Sequence, residues 1–192
     1  MKMKRIIDIT LLVLAALMMT SCVKTKLEGV YNRQESQIDS YLARYEDGHR
    51  IVRHGGANRL VLVEGQGEEL SSDGYVSFYY AGYMFTGNIS ASGMFITNHQ
   101  ETAEQAGWNL TDADYRLYEI NLKDTELLPG LKAGLKGVKA GEECEILFSG
   151  KHGYGNKPFG IIPANTALLY KIWVVGVSND KHKRLFLLSL SV

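Results

Sequence analysis

The sequence predicts an α+β domain in which an antiparallel sheet is covered by one short helix, with an accessory helix near the N-terminus. Three observations predict it. Apolar residues recur at alternate positions around 75–85, 115–122, 142–149 and 167–177, the period of strands with one buried face. The connections are of hairpin length and rich in glycine, which favours antiparallel pairing. One amphipathic helix, opening at Leu128-Pro129-Gly130, sits between strands and supplies the second layer.

The 192 residues suit one domain plus appendages. Hydrophobic residues make up 45% and charged residues 22%, enough to bury a core. The 21 basic and 21 acidic residues cancel. No basic field exists for nucleic acid, so that class of partner is set aside.

Residues 1–21 read as a targeting segment. Lys2, Lys4 and Arg5 precede an apolar run, Ile9 to Met19, which is short for a membrane span. The run ends in Met19-Thr20-Ser21-Cys22, which resembles the bacterial lipoprotein cleavage box. That resemblance implies cleavage before Cys22 and lipidation of the new N-terminus. A plain secretory signal with an incidental cysteine is the alternative. Acyl chains contribute about 0.8 kcal/mol per buried CH₂, so a multiply acylated Cys22 would anchor the chain firmly. Val23 stands where an inner-membrane retention signal carries Asp, which favours the outer membrane facing the periplasm.

Residues 22–57 read as a tether and an accessory helix. Ile38, Tyr41, Leu42 and Tyr45 recur at helical spacing between Asn32 and Tyr45, and Gly48 is the stop. This helix packs on the domain, spaces it from the membrane or forms a dimer contact. Arg50 to Glu64 predicts one or two strands around Gly55-Gly56. Gly65-Gln66-Gly67 and Ser71 to Gly74 are turns. In the strand from Tyr75 to Phe85, Val76, Phe78 and Tyr80 share one face. Met94 to Ile96 is extended. Residues 97–107 predict a short helix capped by Thr97 or Asn98 and ended by Gly107. Tyr118, Ile120 and Leu122 then share a strand face. Pro129 suits a first helical turn, Leu131, Leu135 and Val138 form the apolar stripe, and Gly141 closes the helix. Cys144, Ile146 and Phe148 share a face of the next strand. Cys144 reads as a buried structural thiol, since no CxxC or neighbouring histidine accompanies it. The tail, 180–192, begins with Asp180 and a basic cluster, then turns apolar, and has no assigned role.

From about Leu60 to Val177 the chain resembles the FKBP-type peptidyl-prolyl cis-trans isomerases. The residues that carry the resemblance are Phe78-Tyr79-Tyr80-Ala81-Gly82, Phe95-Ile96-Thr97-Asn98, Tyr118, Leu127-Leu128-Pro129-Gly130-Leu131, Gly153-Tyr154-Gly155, Ile161-Ile162-Pro163-Ala164 and Tyr170. The resemblance implies an FKBP-like domain over 58–179, a twisted antiparallel sheet wrapped around the helix at Pro129. It implies a pocket between helix start and sheet, with Tyr80, Phe95, Leu131, Tyr154 and Tyr170 as its catalytic residues. Tyr118, Leu127, Leu128, Ile161 and Ile162 complete the substrate-binding set. Tyr154 hydroxyl and the amide of Ile161 or Ile162 are the candidates for gripping carbonyl oxygens. Three positions depart from the family pattern: Ile96 replaces an acidic residue, Leu131 a Trp and Tyr118 a Phe. The insertion between Phe95 and Tyr118, with Trp108, lies at the pocket mouth as a lid or docking surface, or tucks onto the sheet.

The expected partners are proline-containing segments of unfolded or exported proteins. No cofactor or metal is implied. A binding module on the same fold, chaperone-like and without turnover, is the competing expectation.

Overall fold

The computed structural model describes residues 25–123 and 126–180. The targeting segment, Cys22 and the tail beyond Asp180 lie outside them.

Seven strands form one sheet: β1 (Arg50–His54), β2 (Ala57–Val63), β3 (Tyr75–Met84), β4 (Met94–Thr97), β5 (Tyr118–Asn121), β6 (Glu143–Phe148) and β7 (Leu168–Ser178). Their order is β1-β2-β6-β7-β3-β4, and β5 also pairs with β3. Every pairing is antiparallel. One edge of β3 is shared, with β5 along Tyr75 to Phe78 and β4 along Ala81 to Tyr83.

Among the described residues three α-helices accompany the sheet: α1 (25–42 as described), α2 (Gln100–Gln105) and α3 (Pro129–Leu135). α1 includes residues 25–30, part of the segment expected to be a tether. Its described part reaches N-terminal of the expected start at Asn32, and Tyr31 and Gln34 bond to the domain. The end of α3 also differs from expectation. The helix stops at Leu135, and the chain reverses at Gly137 (φ +77°), not at Gly141. The expected caps of α2 are used elsewhere. Asn98 Oδ1 accepts the Tyr80 N–H (2.6 Å), Asn98 Nδ2 donates to the Arg116 carbonyl (2.9 Å), and His99 takes the N-cap position.

Period-two alternation in the strands sends side chains to two cores. On one face Val76, Phe78, Cys144, Ile146, Phe148, Tyr170 and Ile172 pack with Leu131, Leu135 and Val138. On the other, Leu60, Ala81, Tyr83, Leu147 and Leu169 pack with Ile38, Tyr41 and Leu42 of α1. The accessory helix therefore covers the second face of the sheet. The hairpin β1–β2 spans the expected domain boundary at 57/58, and β2 pairs along β6.

α3 approaches β6 closely because two of its residues lack side chains. A Cβ on Gly130 would collide with the Phe148 ring, and one on Gly134 with Ile146. The helix C-terminus is capped from inside by Arg59, whose Nη1 donates to the carbonyls of Gly134 (2.9 Å) and Lys136 (2.8 Å). A cation here also complements the helix dipole.

Candidate ligand-binding site

The N-terminal end of α3, the face of β3 and β7, and the loop after β6 enclose a cavity of about 420 Å³. Its walls include Tyr80, Phe95, Tyr118, Leu127, Leu128, Leu131, Tyr154, Ile161, Ile162 and Tyr170, so all ten residues expected to line a pocket meet at one place. Phe78, Ile96, Glu126, Phe159 and Gly160 complete the lining.

The rings form two sets of edge-to-face contacts. Phe95 meets Tyr170 at 5.9 Å and 86°, and Tyr80 meets Tyr118 at 5.7 Å and 71°. Phe78 lies behind both Tyr80 and Tyr118. Edge-to-face pairs of this separation hold rings in place. Gly82 makes room for one of them: a Cβ there would stand 2.8 Å from Phe95 Cζ. Phe148 stacks behind Tyr170 at 6.1 Å and 14°.

The loop wall is built differently. Phe159 stacks on Tyr154, centroids 4.5 Å apart and planes 7° from parallel. Phe159 and Ile161 stand 59% and 69% exposed, unusually open for large apolar side chains at the rim of a cavity. Sequence pattern could not place Phe159, which shows no period. Its setting between Pro158 and Gly160 was the available signal, a ring on a tight turn.

The polar groups are few. Burial raises the Tyr154 hydroxyl pKa, and Tyr170 draws it partly back. Tyr170 is raised by burial first, then by Tyr154 and Tyr80, and Tyr80 by burial and Tyr118. All three are therefore neutral donors at physiological pH. Of the two amides expected to grip a carbonyl, that of Ile162 is occupied: it donates to the Phe159 carbonyl at 2.9 Å. The Ile162 side chain is itself buried in the core. Among the described residues the amides of Ile161 and Leu128 find no acceptor. Leu128 precedes Pro129 at the helix start, where amides lack intrahelical acceptors.

The insertion does not reach the cavity. No residue from 97 to 117 lines it, and Trp108 packs against the core that carries α1. The rim position Ile96 and the floor position Leu131 are both apolar, so among the described residues Glu126 is the sole carboxylate in the lining. Among the described residues no group of three or more His, Cys, Asp or Glu could hold a metal. The site offers rings, aliphatic walls and a few neutral donors. Among the described residues it has no nucleophile paired with a base.

Residues 67–175 match the family described as FKBP-type peptidyl-prolyl cis-trans isomerase, more than half of the chain. The chain belongs to this family. FK506-binding protein 1 of Aspergillus oryzae is 21% identical over 123 residues, covering 64% of this chain and 99% of that protein. Peptidyl-prolyl cis-trans isomerase FKBP9 of Homo sapiens is 32% identical over 94 residues, 47% of this chain and 16% of that much longer protein. Solved structures show the same fold. FkpA from Escherichia coli superposes with a TM-score of 0.52 at 21% identity, covering 90% of this chain and 71% of that one. A peptidyl-prolyl cis-trans isomerase from Pseudomonas syringae gives 0.54 at 16% identity, covering 79% and 96%. The FKBP-type fold thus accounts for the seven-stranded antiparallel sheet with its short helix, and α1 packs on the opposite face.

Proposed function

We propose that this FKBP-type protein catalyses cis-trans isomerisation of X-Pro bonds in exported proteins, from a lipid anchor at Cys22 on the outer membrane facing the periplasm. The observation that carries the activity is the ring-walled cavity with neutral donors and unpaired amides. Amide rotation meets a barrier of about 18–20 kcal/mol because resonance keeps the C–N bond partly double. The cis and trans forms of X-Pro differ by only about 0.5–1 kcal/mol yet exchange in tens to hundreds of seconds. Acceleration needs no proton transfer. It needs a surface that binds the twisted amide better than either planar form. A twisted amide has lost resonance, so its carbonyl oxygen carries less charge and suits a dry apolar wall better than water. Tyr80, Phe95, Leu131 and Tyr170 seat the prolyl ring. Tyr154 hydroxyl and the amides of Ile161 and Leu128 orient the flanking carbonyls. Tyr118, Leu127 and Ile162 complete the walls.

A protease-coupled or refolding-based isomerisation assay on residues 23–192 tests this reading. Acceleration is expected, with Tyr154→Phe lowering kcat/KM about tenfold, the worth of one lost hydrogen bond. A second reading rests on Ile96 and Leu131, the apolar rim and floor: the cavity holds proline-bearing segments without turnover. Tight binding of an X-Pro peptide with no acceleration at micromolar protein would establish that reading and end the first. The anchor is tested separately by palmitate labelling in cells. Label lost in Cys22→Ser supports it, and an unlabelled wild type overturns it.

A further inference from the structure

Gln34 of α1 uses both ends of its side-chain amide on one loop. Its Oε1 accepts the Gly150 N–H at 2.9 Å, and its Nε2 donates to the Asn165 carbonyl at 2.6 Å. One turn earlier, the Tyr31 hydroxyl donates to Asn165 Oδ1 at 2.7 Å. Gly150 and Asn165 are the two ends of the segment that carries Tyr154, Phe159, Ile161 and Ile162, an entire wall of the cavity.

The ends of this loop touch. A Cβ on Gly150 would stand 2.5 Å from the Asn165 carbonyl carbon. Gly155, next to Tyr154, is tied to both ends. Its N–H donates to the Gly150 carbonyl (3.0 Å), and its carbonyl accepts the Asn165 N–H (2.6 Å). Asn165 is the one described non-glycine residue in the left-handed region (φ +59°). Asparagine tolerates that conformation, and bonds from Tyr31 and Gln34 engage its side chain and carbonyl.

Docking of α1 does not require these bonds. Ile38, Tyr41 and Leu42 are buried in the second core, and the Tyr41 hydroxyl donates to Glu145 at 2.6 Å, well away from the loop. We propose that α1 is a clamp for the cavity loop, with Gln34 and Tyr31 as positioning residues that fix Tyr154 through Gly150 and Asn165. The helix on the far face of the sheet thus sets the geometry of the site on the near one.

Two readouts on the chain test the clamp, and only the kinetic one rests on the isomerase reading. Amide hydrogen exchange by NMR is expected to speed up about tenfold or more at Gly155 and Asn165 in Gln34→Ala, from two lost hydrogen bonds. Exchange at Leu147 and Leu169 is expected to stay unchanged. Gln34→Glu keeps the acceptor for Gly150 and loses the donor to Asn165, so its effect falls between. Tyr41→Phe, which disturbs α1 away from the loop, leaves Gly155 exchange unchanged. In an active wild type, Gln34→Ala lowers kcat severalfold with little change in melting temperature. Unchanged exchange at Gly155 and Asn165, an equal rise in Tyr41→Phe, or faster exchange with turnover intact would each overturn the clamp. A wild type without isomerase activity would leave the exchange result decisive.

Discussion

The Arg59 guanidinium lies 3.2 Å from the Glu142 carboxylate, and both side chains are almost fully buried. The guanidinium also closes α3 by bonding the carbonyls of Gly134, Lys136 and Gly137. Arg50, at 3.7 Å, is the second cation beside Glu142. Breaking one side of a buried pair costs roughly 3–5 kcal/mol, because the partner charge stays desolvated. Arg59→Met is therefore expected to lower the urea midpoint by that equivalent, and adding Glu142→Gln to recover part of it. A midpoint within error of wild type would show that α3 does not depend on this cap.

Glu145 gives the stability a pH dependence of unusual sign. Burial raises its pKa above 4.5, and the Tyr41 hydroxyl and Lys171 ammonium draw it only partly back. The folded state thus holds this proton more tightly than the unfolded state. Its contribution is fully present below the unfolded pKa and is lost as pH rises through the folded one. Burial raises Glu142 in the same sense, with Arg59 and Arg50 opposing. Glu145→Gln keeps an acceptor for Tyr41 and removes the titration. Its stability relative to wild type should improve as pH rises from the ordinary carboxylate range toward neutrality. Parallel unfolding curves at every pH would refute the assignment.

Gly134→Ala sets helix propensity against packing. Alanine in a helix gains up to about 1 kcal/mol over glycine. The new Cβ meets Ile146 on β6 with nowhere to go, and overpacking of that kind costs about 1–3 kcal/mol. Net destabilisation is expected, with rescue by Ile146→Ala in the double variant. A more stable single variant would mean that α3 can shift away from the sheet.

Leu131→Trp converts the cavity floor into a reporter. The native tryptophans stand elsewhere, Trp108 and Trp173 both packing against the α1 core. A leucine-proline peptide is expected to change the emission of Leu131→Trp and to leave that of wild type nearly unchanged. Identical responses in the two proteins would place the peptide outside the cavity.

Much of this architecture was legible in the chain. Alternation in Cys144-Glu145-Ile146-Leu147-Phe148 assigned faces to β6, and both cores obey it. Tyr154 stood out as a ring between two glycines. Other parts were silent for a physical reason. Gly130 and Gly134 show no pattern until the surfaces of Phe148 and Ile146 lie against them. Asn98 looks like a helix cap by local rule, yet its side chain joins β3 to Arg116, a partner 18 residues away. Ile162 and Ile161 are equivalent in one dimension, and only the turn back to Phe159 occupies one amide and leaves the other open.

Local periodicity and turn chemistry determined, from the residues alone, the strands, the central helix and the side chains that face inward, because these depend on neighbours within a few positions. Tertiary structure alone decided that α1 seals the second face, that Arg59 caps α3 and that Gln34 grips the loop of Tyr154. The Arg59 and Gln34 contacts join residues 75 and 131 positions apart, a distance over which the order of residues carries no geometric information until the chain has folded.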